Sequence, residues 1–217
     1  MIDFENFQRE QHLFTRRQET FGNATSLYHC RFEQDNGCVP QMEQARQYVQ
    51  HWSKMRENNL GLLFWGQPGN GKTFAAACIA NALIESSDPF PPTVKMTTFG
   101  TILNRLLSLS VADKEYYLSH FLNADLLILD DFGMERQTDY AREQVFNIID
   151  GRYLTKRPLI ITTNLSLQEM KTTTELAQKR IYDRVLEMCV PVFFSGESQR
   201  PGRAKANLEA FRAITGK

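Results

Sequence analysis

The 217-residue sequence has no excess charge of either sign: 25 Lys and Arg balance 25 Asp and Glu, and the pI is about 6.9. A neutral chain has no bulk attraction to nucleic acid or to a membrane surface, so contact with either must come from a local patch. Cysteine is scarce, with Cys30, Cys38, Cys78 and Cys189 forming no C-x-x-C pair and lying at no zinc-like spacing from a histidine. That argues against a disulfide scaffold or a zinc finger and for thiols in a reducing cytosol. Long apolar runs are also missing. The longest, Leu60–Trp65 and Leu126–Leu129, have the length of strands and fall far short of a membrane span. The N-terminus reads Met-Ile-Asp-Phe-Glu, with acids where a secretory leader needs basic residues and then an apolar stretch. The expectation is a soluble cytoplasmic protein with no membrane partner. What is present suffices for a core: 42% of residues are hydrophobic and 23% charged, over the length of one domain with a modest extension.

Met42, Ala45, Tyr48, Val49 and Trp52 recur at three- and four-residue steps, which predicts a helix from Pro40 to Asn58. A strand is expected at Leu60–Trp65, a loop at 66–71 and a helix from Lys72 to about Glu85. Past the prolines of 86–92 come a strand at Thr93–Thr97 and helices near 99–109 and 114–123. The remaining pattern is strand Asp125–Leu129, helix 138–154, strand Pro158–Thr163, helix 175–187 and strand Cys189–Phe194. Five near-continuous apolar strands alternating with helices predict an α/β fold, a parallel sheet with helices on both faces.

Gly66-Gln67-Pro68-Gly69-Asn70-Gly71-Lys72-Thr73 fits G-x-x-x-x-G-K-[ST] in full, between a predicted strand and a predicted helix. A chance match in such a chain has odds of roughly one in a hundred. Gly69 and Gly71 can adopt the backbone angles that aim successive N–H groups inward, and the helix beginning at Lys72 adds its positive end. Lys72 would reach the β- and γ-phosphates, and the Thr73 hydroxyl would coordinate Mg²⁺. The expected cradle is Gly66, Gln67, Pro68, Gly69, Asn70, Gly71, Lys72, Thr73 and Phe74.

Leu126-Leu127-Ile128-Leu129-Asp130-Asp131 is an apolar strand ending in two carboxylates, 57 residues after Thr73. Asp130 would hold Mg²⁺ through its waters, and Asp131 would orient or deprotonate the attacking water. The alternative, an acidic pair capping a turn, loses weight once a phosphate loop stands upstream. Asp131-Phe132-Gly133 resembles a kinase element, but no H-R-D loop accompanies it; no N-K-x-D guanine reader appears either, so ATP is the expected nucleotide. One strand later, Asn164 follows Leu159–Thr163, where Asn often serves a turn; the order of the three motifs resembles the layout of AAA+-type ATPases, and that resemblance implies Asn164 as the sensor of the γ-phosphate or the lytic water.

These motifs, with Asn58-Asn59-x-Gly61-Leu62-Leu63-Phe64-x-Gly66, the stretch Tyr140 to Tyr153, Thr162-Thr163-Asn164 and Arg180-Ile181-Tyr182-Asp183-Arg184, resemble the DnaC/IstB family of AAA+ ATPases. That family comprises bacterial helicase loaders and transposition ATPases. The resemblance spans about residues 28–200 and implies a P-loop AAA+ fold without a C-terminal lid, for which the 23 residues after Phe194 are too few. It implies a helicase loader acting on a DnaB-type hexameric helicase and single-stranded DNA, oligomeric when ATP is bound. A transposition helper of the same family is the near alternative, and a monomeric small-molecule P-loop kinase is the alternative of another class.

The resemblance also places Arg180 as an arginine finger reaching the ATP of a neighbouring subunit, with Arg184 sharing its helix face; the local alternative is a network with Asp183 and Glu187. It places Thr138 and Tyr140 at positions that touch single-stranded DNA, and Arg105 in an insertion that does so in initiator-like relatives. Residues 1–27 are expected as a short extension whose Phe4, Phe7, Leu13 and Phe14 form a partner-docking helix, and residues 201–217 as a basic tail.

Overall fold

The computed structural model describes residues 4–35, 37, 39–86, 90–134, 138–196, 198 and 200–215. Cys38, Lys217 and the side chains of Phe4, Arg200 and Arg203 lie outside the described residues. The chain opens with α1 (Phe4–Phe21) and two 3-10 turns, then α2 (Met42–Gln50), α3 (Trp52–Glu57), β1 (Gly61–Trp65) and α4 (Lys72–Ile84). It continues through β2 (Val94–Thr98), α5 (Phe99–Leu107), α6 (Val111–Asn123), β3 (Leu126–Phe132) and α7 (Asp139–Thr155). β4 (Leu159–Thr163), α8 (Leu167–Thr172), α9 (Leu176–Met188), β5 (Cys189–Phe193) and α10 (Arg200–Thr215) complete it. Among the described residues no helix is long and apolar enough to cross a membrane.

The strands form one sheet in the order β2-β3-β4-β1-β5, all neighbours parallel. Along the central strands, buried almost throughout, successive side chains alternate between the two faces of the sheet. Leu62, Phe64, Leu126, Ile128 and Ile160 join α2 and α4 on one face, while Leu63, Leu127, Leu129, Leu159 and Ile161 join α5, α7 and α9 on the other. Covering both faces is what makes β1, β3 and β4 near-continuous apolar runs. α4 carries Ala75, Ala76, Ala77 and Ala80, all buried, so the helix is apolar on every side and sits in the interior. At the start of β1 a Cβ on Gly61 would collide with the Leu159 carbonyl, so glycine lets β1 and β4 approach there. β4 thus comes to lie between β1 and β3, which brings its carboxyl end beside both the phosphate loop and the acidic strand.

Four expectations change. The helix of 40–58 is two helices, broken at His51 (φ −108°, ψ 23°), a one-residue break that leaves the apolar spacing intact. Within α1, residues 16–21 pack on the rest of the chain. Arg16 donates to the carbonyls of Ile84 and Pro92, Arg17 pairs with Glu85, and Phe21 packs on Tyr28 with ring centroids 5.8 Å apart inside the core. The boundary expected at residue 28 therefore falls within continuous packing. The basic tail is a helix, α10, and a short helix, α8, opens on the capping box Ser166–Glu169. Finally, β3 runs on to Phe132 through a bulge, with consequences for the site.

Candidate nucleotide-binding site

β1 leads into the loop 66–71, and α4 begins directly after it. Gly66, Gly69 and Gly71 have φ of 138°, 88° and 95°, values that side-chain-bearing residues hold only under strain. A Cβ on Gly66 would stand 2.5 Å from the Phe194 carbonyl oxygen, and the buried Asn70 donates its Nδ2 to that same oxygen. The segment after β5 thus pins the loop from one side. Lys72 is 6% exposed. Its Nζ donates to the carbonyls of Gly66 and Gln67, each at 2.8 Å, and to Asn70 Oδ1 at 3.3 Å. Gln67 and Pro68 are exposed, whereas Gly69, Gly71, Thr73 and Phe74 are half-buried, Phe74 against the core under α4.

The carboxylates face this loop. Asp130 Oδ1 accepts from the Thr73 hydroxyl at 2.9 Å and from the Thr162 hydroxyl at 2.5 Å. The pairings Leu129↔Ile161 and Phe132↔Thr163 leave Asp130 and Asp131 together opposite Thr162, which is a β-bulge. Asp131 sits there with φ 55°, a left-handed conformation uncommon for a residue with a Cβ, and donates its N–H to Thr162 Oγ1 at 3.0 Å. The bulge turns Asp130 inward and leaves the Asp131 side chain exposed. Burial pushes the Asp130 carboxyl above its ordinary range; the Thr162 and Thr73 hydroxyls and Lys72 pull the other way, and Asp131 adds to the rise.

The donor set fits ATP with Mg²⁺. A hard cation that keeps waters and shares phosphate oxygens needs few protein ligands, and Thr73 Oγ1 with Asp130 Oδ1 supplies two oxygens 2.9 Å apart at the mouth of a glycine-lined loop holding an ammonium.

The other expected residues stand outside this cluster. Asn164 is exposed just past β4, on a turn that Thr163 fixes by donating to Phe132 O and accepting from Leu165 N. Arg180 is exposed on α9, and no hydrogen bond or ion pair among the described residues engages it. Arg184, one turn on, pairs with Asp150 at 2.6 Å and lies over the rings of Phe146 and Tyr153, at 4.9 and 5.4 Å. Thr138 is the N-cap of α7, its hydroxyl accepting from Ala141 N. Tyr140 is half-buried with Lys114 Nζ 5.9 Å from its ring, and Arg105 is exposed on α5. Sequence reasoning attaches no role to Thr162. The available signal is a hydroxyl at the end of an otherwise apolar strand with both faces covered, where it must find a partner.

A profile of the IstB-like ATP binding protein family matches residues 6–207. The chain belongs to that family. This IstB-like protein is 30% identical over 179 residues to the replicative helicase loader DnaC of Escherichia coli strain K12, across 79% of this chain and 69% of that one. It is 30% identical over 152 residues to the replicative helicase loader DnaI of Bacillus subtilis strain 168, across 64% of this chain and 47% of that one. A crystal structure of the DnaC helicase loader matches with TM-score 0.66 and 27% identity, covering 79% of this chain and all (100%) of that one. A crystal structure of DnaI has TM-score 0.64 at 20% identity, which shows the shared fold. The IstB-like chain is thus an AAA+ ATPase with the five-stranded parallel P-loop sheet of these proteins.

Proposed function

We propose that this IstB-like protein is a helicase loader: an ATP-dependent factor that binds ATP with Mg²⁺ and single-stranded DNA and helps deliver a DnaB-type hexameric helicase in the cytoplasm. The observation that carries the reading is the likeness to the DnaC loader over 79% of the chain. Around it the residues take these roles. The loop 66–71 with Phe74 holds the nucleotide, and Lys72 exchanges its carbonyl partners for the β- and γ-phosphates. Mg²⁺, held by Thr73 and Asp130, would neutralise phosphate charge. Asp131, exposed beside it, orients the attacking water or takes its proton, and Asn164 hydrogen-bonds the γ-phosphate or that water.

Arg180 points outward and is available to a second subunit, whereas Arg184 is held on α7. That asymmetry supports Arg180 as the cation that completes a neighbour's site in an ATP-bound homo-oligomer. Arg105 and Tyr140, with the Lys114 ammonium near the ring and Thr138 at the start of α7, would bear the single strand through phosphate contacts and base stacking. Hydrolysis would then release the assembly.

The test is ATP turnover with no DNA, single-stranded DNA or duplex DNA, alongside solution mass with ATP. An oligomer stimulated by single strands supports the loader. Stimulation by duplex alone moves the reading to a transposition helper, and phosphate transfer by a monomer sinks it.

A further inference from the structure

Thr162 stands between the two carboxylates of the site. It is fully buried, at the end of β4, opposite the bulge formed by Asp130 and Asp131. Its single hydroxyl is engaged in both senses: it accepts the Asp131 N–H at 3.0 Å and donates to Asp130 Oδ1 at 2.5 Å. A hydroxyl has one proton and can give it to one acceptor, so these two bonds lock its rotor and fix a direction, from backbone amide through hydroxyl to carboxylate. Asp130 Oδ1 receives a second hydroxyl, from Thr73 on the phosphate loop. One oxygen thereby ties three elements, β3, β4 and α4.

The bulge needs such a tie. Inserting two residues opposite one leaves an amide of β3 without its ladder partner, and a buried unpaired N–H is costly. Asp131 is that residue, in the left-handed region at φ 55°. Its conformation persists because the environment supplies an acceptor off the regular ladder. Thr162 Oγ1 is that acceptor. Were the hydroxyl lost, the amide would seek a regular pairing. The bulge could then slip, and a one-residue slip reverses which carboxylate faces in and which faces out.

We infer that Thr162 is the positioning residue that holds the Asp130–Asp131 bulge in register, so that Asp130 faces the phosphate loop and Asp131 is presented at its edge. The inference rests on the ATPase reading only for its consequence in turnover; the hydrogen-bond relay itself does not depend on that reading. Thr162 acts through Asp130 and Asp131, the two residues its hydroxyl bonds. Its neighbour Thr163 makes a separate tie, to Phe132 O, that closes the bulge on the far side.

Two variants of the full chain test it: Thr162→Val, which keeps shape and removes the hydroxyl, and Thr162→Ser, which restores it. The readouts are hydrogen exchange at the Asp131 amide by NMR without nucleotide, affinity for a fluorescent ATP analogue, and turnover. In Thr162→Val the Asp131 amide is expected to exchange at least about tenfold faster and kcat to fall at least about tenfold, with nucleotide affinity within about threefold; the relation of bond to rate is that of a lost buried hydrogen bond. Thr162→Ser is expected to restore both exchange and kcat to within about threefold. Unchanged exchange in Thr162→Val overturns the relay, and turnover at the wild-type level with fast exchange overturns the positioning role. If wild type itself shows no turnover, the hydrolytic reading fails while the exchange measurement still decides the relay.

Discussion

Thr73 Oγ1 donates to Asp130 Oδ1 across 2.9 Å, joining a helix start to a strand end 57 residues further on. This contact ties the phosphate loop to β3, and the carboxylate it engages lies largely out of water. The folded chain tolerates that arrangement at a cost, because burial favours the neutral acid.

The cost has a sign that can be measured. The Asp130 carboxyl titrates above its ordinary value in the folded state, so folding takes up a proton in the window between the ordinary and the raised value. Its contribution to stability is greatest below the ordinary carboxyl range and is lost as pH rises through the raised value. Asp130→Asn is expected to stabilise the nucleotide-free protein at pH 7 by about 1 kcal/mol, the usual gain from relieving a strained functional group. It should also remove that segment of the pH dependence in urea titrations and abolish Mg²⁺-dependent turnover. A variant less stable than wild type at pH 7 would show that the ionised carboxylate is a net asset to the fold.

Lys72 tests the cradle. Its ammonium donates to the Gly66 and Gln67 carbonyls and to Asn70. Lys72→Ala should lower stability by only about 1 kcal/mol, the worth of those bonds, yet weaken ATP binding by roughly 10- to 100-fold, since charge-assisted bonds to phosphate are worth about 1.5–3 kcal/mol. Fluorescent-nucleotide titration with a parallel urea curve separates the two. Unaltered affinity would remove Lys72 from the phosphate site.

The two arginines of α9 should part company. Arg184 is bonded to Asp150 and stacked on two rings, so Arg184→Ala is expected to cost about 1–2 kcal/mol of stability. Arg180 has no such partners, and Arg180→Ala should shift stability by less than about 0.5 kcal/mol while removing turnover that depends on assembly. A variant at Arg180 that oligomerises and turns over normally would exclude it as the shared cation.

Much of this was legible in the residues. The glycine loop between β1 and α4, and the placement of Asp130 beside it, were legible because they follow fixed residue types at fixed spacing, and β1, β3 and β4 because strands covered on both faces demand apolar runs. What escaped depends on contacts between distant segments. The bulge at Asp130 and Asp131 is set by register against Thr162, which no local pattern encodes. The split of α2 from α3 at His51 leaves the apolar spacing intact, so periodicity passes over it. α10 escaped for the opposite reason: its exposed Leu208, Phe211 and Ile214 are too sparse among basic and small residues to announce a buried face. Arg180 and Arg184 share a helix face at i and i+4, and the Asp150 pair and the ring stack that hold Arg184 come from α7, which spacing along α9 does not encode.

The N-terminal helix divides into two halves with different work to do. At its start Phe7 is 53% exposed, while at its end Thr20 and Phe21 are each 4% exposed. Between them Arg16 binds carbonyls on α4 and before β2, and Arg17 shares Glu85 with Arg31. Removing residues 1–12 should therefore cost less than about 1 kcal/mol, because residues 7–12 among them are exposed. Removing residues 1–22 uncovers apolar α4, deletes a core phenylalanine and leaves Glu85 with one cation; it should cost at least about 4 kcal/mol, in the range of a Phe deletion plus a broken partly buried network. The shorter truncation is thus the informative one for partner docking through Phe4 and Phe7. Helicase affinity that falls in it, with ATP binding and thermal stability unchanged, assigns the exposed half to the partner. Affinity that stays constant there and falls only with the longer cut traces the loss to unfolding instead.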